Sequence, residues 1–217
     1  MKNFAIVLSG CGVYDGAEIH EAVTVMLAVC KRGCNYQIFA PDIAQHHVIN
    51  HLTGEEMPEQ RNVLTEAARI ARGNIKDLAG FNPSEYDALL FAGGFGAAKN
   101  LSDFAFKGAD YRVIGPVVKA VRGMHEAEKP IGAMCVSPVI LADALPGVEL
   151  TVGAECGASE AAEKRGAKHQ ITTHGEVVVD KKNKVVTTPC YMLDATIAQV
   201  AEGADRLVDE LLKMVNG

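Results

Sequence analysis

Short, wholly apolar runs bounded by turn residues alternate along this chain with stretches of helical periodicity. That alternation belongs to helices packed on a mostly parallel sheet, because strands buried on both faces carry no polar side. Phe4-Ala5-Ile6-Val7-Leu8 predicts a central strand and Asn35–Ala40 its neighbour. Between them, residues 17–32 repeat Ile19, Val23, Met26, Leu27 and Cys30 at near-helical spacing, and Gly33 closes the pattern as a glycine beyond a helix end does.

The pattern continues in the same way. Residues 42–54 are irregular, and 62–71 form a helix running toward Gly73. A buried strand over 86–92 delivers the turn Gly93-Gly94-Phe95-Gly96. A helix over 113–128 takes Pro116 in its first turn, where the missing N–H costs nothing. The next strand ends at Cys135, and an apolar helix follows over 136–145. Short strands are expected at 148–152 and 170–173. Residues 176–180 and 184–188 form a hairpin through Lys181-Lys182-Asn183, and 193–215 supply the closing helix with Gly203 as a break point. With no linker or repeat, residues 1–217 are expected to form one α/β domain.

Composition narrows the function classes. The chain is 48% hydrophobic and 22% charged, the balance of an ordinary globular domain large enough to bury its own core. A formal charge of -6 and no dense Lys/Arg run leave no electrostatic footprint for nucleic acid. No stretch reaches the ~18 apolar residues of a membrane span, so no membrane partner is expected. Leu8-Ser9-Gly10-Cys11 imitates a lipoprotein cleavage site, but the apolar run before it is shorter than the roughly 7 residues a signal core needs. Six irregularly spaced cysteines in a chain of this size are expected as reduced thiols, and the location is expected to be cytoplasmic. His46, His47 and His51 cluster without an acid or thiol at ligand spacing, so neither metal nor cofactor is expected.

Cys135 carries the chemistry. It stands where a buried strand runs into a helix, a corner that exposes a sulfur at the carboxyl edge of a parallel sheet, beneath helix amides that favour a thiolate. Packing as a small hydrophobe is the alternative. The glycine turn matches neither common phosphate-loop spacing. It emerges at the same sheet edge, where the amides of Gly94 and Val136 could hold an oxyanion. Glu18 and Glu21 are three apart, on one helical face after the first strand. Two first-turn acids complement a helix dipole. A glutamate in an apolar crevice also holds a proton near neutrality and can pass it to a sulfur, and Glu21 is assigned that part with Glu18 in support.

Several long segments then carry a resemblance: residues 8–16 through Glu18-Ile19-His20-Glu21, then 48–55, Arg61-Asn62-Val63-Leu64, 93–101 and Val185-Val186-Thr187-Thr188-Pro189. Over nearly its whole length the chain resembles the ES1/ElbB family of the DJ-1/PfpI superfamily, which is class I glutamine amidotransferase-like. The resemblance implies a flavodoxin-like three-layer α/β/α sandwich, usually dimeric, with Cys135 at a nucleophile elbow. It also implies a glutamate of the first helix facing that cysteine, which places Glu21 there. PfpI-type members carry a histidine directly after the cysteine, where this chain has Val136; His20, His125, His169 and His174 remain as substitutes. By similarity the expected activity is a cofactor-independent glyoxalase acting on small 2-oxoaldehydes through a Cys135 hemithioacetal. The alternatives are removal of aldehyde adducts and a redox-sensing or regulatory protein. The ElbB name is tied to isoprenoid output; without an aspartate-rich magnesium motif that link is read as indirect.

Overall fold

A computed structural model describes residues 1–216. In chain order the strands are β1 (Asn3–Val7), β2 (Asn35–Ala40), β3 (Ile75–Asp77), β4 (Ala88–Phe91), β5 (Ile131–Met134), β6 (Glu149–Leu150), β7 (Lys168–His169), β8 (Val178–Asp180) and β9 (Val185–Thr188). The helices are α1 (Ile19–Lys31), α2 (Val63–Ile70), α3 (Phe95–Lys99), α4 (Phe104–Lys107), α5 (Gly115–Glu126), α6 (Pro138–Ala144), α7 (Gly157–Lys164) and α8 (Ile197–Asn216).

The central sheet runs β3-β2-β1-β4-β5-β9-β8, parallel except for β8, which pairs antiparallel to β9 as the hairpin. β6 and β7 pair separately. β1 is followed outward by β2 and β3 on one side and by β4, β5 and β9 on the other. The strand order therefore reverses between β1 and β4, the place where open α/β sheets keep a crevice at the strands' carboxyl ends.

Burial explains the apolar strands. Every residue of β4 and β5 is buried, and one apolar cluster lies on each side of the sheet. The cluster containing Phe4, Ile6 and Leu90 is covered by α1, α2 and α8, and the one containing Val7, Leu89 and Phe91 by α5, α6 and α7. The layers are thus those of the expected flavodoxin-like sandwich. At its carboxyl end α1 is tied to α8: Arg32 donates from Nε to Asp209 at 2.6 Å and from Nη1 to Asp205 at 2.7 Å.

Two expectations are corrected. The strand expected at 170–173 falls instead at Lys168–His169, because Glu149 and Leu150 pair there; Gln170 and Thr172 still donate to Leu150 and Gly153, outside a regular ladder. α8 continues through Gly203 without a break. A Cβ at Gly203 would stand 2.7 Å from Thr188 Oγ1, so the glycine allows close packing of helix on strand. α3 and α7 had no apolar periodicity strong enough to announce them. Among the described residues no helix is long and apolar enough to cross a membrane.

Candidate active site

β5 ends at Met134, and the chain turns so sharply that Cys135 adopts φ 60°, a left-handed conformation that costs a non-glycine residue energy. Surrounding bonds hold it there. Cys135 donates its N–H to Thr188 O at 3.0 Å, Ser137 donates its N–H to Met134 O at 3.0 Å, and Ser137 Oγ donates to Ala92 O at 2.7 Å. The elbow is thus tied to the ends of both flanking strands. Cys135 is only 7% exposed.

Glu21 reaches the sulfur from the first turn of α1 and is fully buried. Glu18 is not a member of that helix, as its spacing suggested, but the residue capping it: Glu18 Oε2 accepts the Glu21 N–H at 2.7 Å, and Glu18 N–H donates to Gly93 O at 2.9 Å. The expected helix start at residue 17 therefore moves to Ile19, because Glu18 has extended backbone. Glu21 Oε1 accepts the Tyr191 N–H at 3.3 Å, whereas Oε2 is buried without an oxygen or nitrogen partner, on the side facing Cys135. Gly93 leaves room for this meeting. A Cβ there would lie 2.3 Å from Glu21 Oε2, 2.3 Å from Cys135 Cβ and 3.0 Å from its Sγ.

Burial dominates the electrostatics. It pushes the Glu21 carboxyl up to about 8, helped by the negative charge of Glu18 and opposed by contacts from Cys135 and from the Tyr191 and Gly93 backbones. The Cys135 thiol is likewise pushed well up, first by burial and then by Glu21, while the N–H groups of Gly94 and Val136 favour its charged form. Burial therefore favours the neutral form of both groups, a carboxylic acid facing a thiol. The two expected amides do face the sulfur and favour its charged form, against the opposing effect of burial.

Of the candidate histidines, His20 stands at the rim. Its Nδ1 is 2.8 Å from Tyr191 OH and 3.9 Å from Glu18 Oε1. His125 lies near Asn183 and Lys184, by the amino end of β9 and away from the elbow. His169 is held in β7, and His174 pairs with Asp194 O. Tyr191 carries no signal in the sequence, whereas Cys190 is one of three cysteines, with Cys11 and Cys156, whose approach to Cys135 the sequence leaves open; both enter the site through the turn after β9. His46 and His47 pack with Phe106, and His51 packs on Tyr14 beside Asp15. Among the described residues no group of three His, Cys, Asp or Glu is placed to hold a metal.

No family model matches the chain. It is 48% identical to the human glutamine amidotransferase-like class 1 domain-containing protein 3, mitochondrial, over 97% of this chain and 82% of that protein. It is 46% identical to the Rattus norvegicus ES1 protein homolog, mitochondrial, over 97% and 83%. Among solved structures, an Ehrlichia chaffeensis isoprenoid biosynthesis protein with an amidotransferase-like domain superposes with a TM-score of 0.90 at 34% identity, over 97% of this chain and 99% of that one. The Candida albicans glyoxalase III superposes with a TM-score of 0.63 at 14% identity, over 98% and 97%, a likeness of fold alone. The expected cytoplasmic location is corrected by these relatives, which are named mitochondrial. The physical reason is that unpaired cysteines argue for a reducing environment without saying which compartment supplies it.

Proposed function

Because the chain belongs to the ES1 family of glutamine amidotransferase-like class 1 proteins and has the DJ-1/PfpI fold, we propose that Cys135 and Glu21 form the centre of a cofactor-independent glyoxalase acting on small 2-oxoaldehydes. The observation that carries this reading is the buried carboxyl of Glu21, protonated near neutrality and turned to a cysteine held at a strained elbow. The low exposure of Cys135 favours a small substrate.

The steps follow from those groups. The Cys135 sulfur adds to the aldehyde carbon, and the carbonyl oxygen takes a proton, giving a hemithioacetal. The reacting form is the Cys135–Glu21 pair that has released one proton: the Glu21 carboxylate passes the thiol proton to that oxygen, and, again a carboxylate, removes the proton from the former aldehyde carbon and returns it to the adjacent carbon through an enediol. The resulting thioester is attacked by water. Its oxyanion is held by the Gly94 and Val136 amides, the sulfur leaves and regains a proton, and a 2-hydroxy acid is released. Glyoxal gives glycolate and methylglyoxal gives lactate.

The test is product formation from methylglyoxal without glutathione. Lactate matching the aldehyde consumed is expected; a folded, reduced protein that forms none overturns the reading. Clearing free aldehyde also reverses its adducts, so pre-formed adducts with no free aldehyde separate this activity from adduct removal. A homodimer is part of the same proposal. It is supported by the stripe Ile19, Val23 and Leu27 on α1, 43%, 46% and 49% exposed, and is checked by sedimentation.

A further inference from the structure

Cys190 is a second buried thiol that the proposed reaction leaves idle. Its place is fixed from both sides. Thr188, two residues before it, accepts the Cys135 N–H at 3.0 Å, and Tyr191, directly after it, donates its N–H to Glu21 Oε1 at 3.3 Å. The thiol therefore sits on a turn hung between the nucleophile's backbone and the acid's carboxyl. β5 and β9 are paired through Met134 and Thr188, so the chains beyond them leave strands about 4.8 Å apart. Disulfides span Cα separations of roughly 4.4–6.8 Å.

Both cysteines also belong to the apolar cluster beneath α1 and α8, and both adopt positive φ, 60° for Cys135 and 44° for Cys190. Cys190 lies near enough to Cys135 that a negative charge on either sulfur would oppose one on the other. The remaining cysteines stand elsewhere. Cys30 and Cys34 lie at the end of α1 remote from Glu21, Cys156 precedes α7, and Cys11 lies within reach of Glu66 and Asp15.

We infer that Cys190 is the resolving thiol for Cys135, closing an intrachain disulfide after a hydroperoxide has oxidised the Cys135 sulfur. In the first step the Cys135 sulfur attacks a peroxide oxygen and the O–O bond breaks. Water or an alcohol leaves, and the sulfur becomes a sulfenic acid. In the second step the Cys190 sulfur attacks that sulfur and the S–O bond breaks. The hydroxyl leaves as water with the Cys190 proton. Two thiols supply the two electrons that reduce the peroxide, and an external thiol restores both by exchange. The cycle would keep Cys135 from the irreversible sulfinic acid. It rests on Cys135 being the reactive centre proposed above, but not on aldehyde turnover.

The reduced full-length protein is treated with hydrogen peroxide, the remaining thiols are alkylated, and peptides are mapped by mass without reduction. The expected product is a Cys135–Cys190 cross-link that an added thiol reverses, with Cys190→Ser instead accumulating Cys135 carrying two oxygens. Wild-type protein in which Cys135 gains oxygen while Cys190 remains alkylatable overturns the inference. So does Cys135 bridged to another cysteine, or left unoxidised. The wild-type map decides the question even if the variant fails to fold. A cross-link in a protein that turns over no aldehyde sinks the glyoxalase reading and leaves this one standing.

Discussion

Glu18 and Glu21 are joined by one short hydrogen bond, in which Glu18 Oε2 accepts the Glu21 N–H at 2.7 Å. One carboxylate thereby starts the helix that aims the other at Cys135, and its charge also helps keep that other protonated. The bland and the chemical readings of the pair hold together, Glu18 serving the helix end and Glu21 facing the sulfur.

Glu18→Gln separates the two effects of that bond. The amide oxygen can still accept the N–H, but the charge is gone, so the Glu21 carboxyl should fall from about 8 toward its ordinary range. Turnover by the wild type is expected to rise with pH as the Cys135–Glu21 pair loses a proton and to level off above about 8. The variant's midpoint should move to lower pH. Glu18→Ala should in addition cost about 1 kcal/mol of stability through loss of the cap. An unmoved midpoint in Glu18→Gln would contradict the electrostatic part.

Glu21 should also leave a mark on stability. Its folded value of about 8 lies above the ordinary 4.5, so between those values the folded chain holds a proton that the unfolded chain has released. Stability from this group is complete below 4.5 and declines as pH rises, by about 1.4 kcal/mol per pH unit, until about 8. Glu21→Gln removes that slope. Urea unfolding of both proteins across this window should show the variant gaining on the wild type as pH rises; parallel curves would contradict the burial argument.

Gly93→Ala tests the close approach. The new methyl would meet Glu21 Oε2 and Cys135 Cβ, both at 2.3 Å, so the carboxyl must swing away from the sulfur and Cys135 Cβ can give way only by shifting the elbow. A loss of ~1–3 kcal/mol is expected from overpacking, together with nearly complete loss of activity. A stable, active variant would show that the three residues do not meet as described.

Much of this architecture was legible because burial on both faces writes apolar runs into the strands. Residues 86–92 and the run ending at Cys135 announced β4 and β5 directly. Short elements such as β3 and α3 left no such trace, since their residues are too few to show a period. The site was legible where one position served one physical need, as with Cys135 at a strand-to-helix corner. Its other half was not. Tyr191 reaches Glu21, and Thr188 reaches Cys135, through backbone bonds far along the chain that carry Cys190 between them, and a backbone group carries no signature in residue type. His20 could be chosen among the histidines only after the turn placed Tyr191 OH against it.

The most direct test compares 2-hydroxy acid formation from glyoxal and methylglyoxal, without glutathione, by the wild-type protein and by Cys135→Ala in parallel. Glycolate and lactate formed by the wild type and lost in the folded variant are the predicted result. Equal rates from the two proteins would contradict the assignment of Cys135 as the nucleophile.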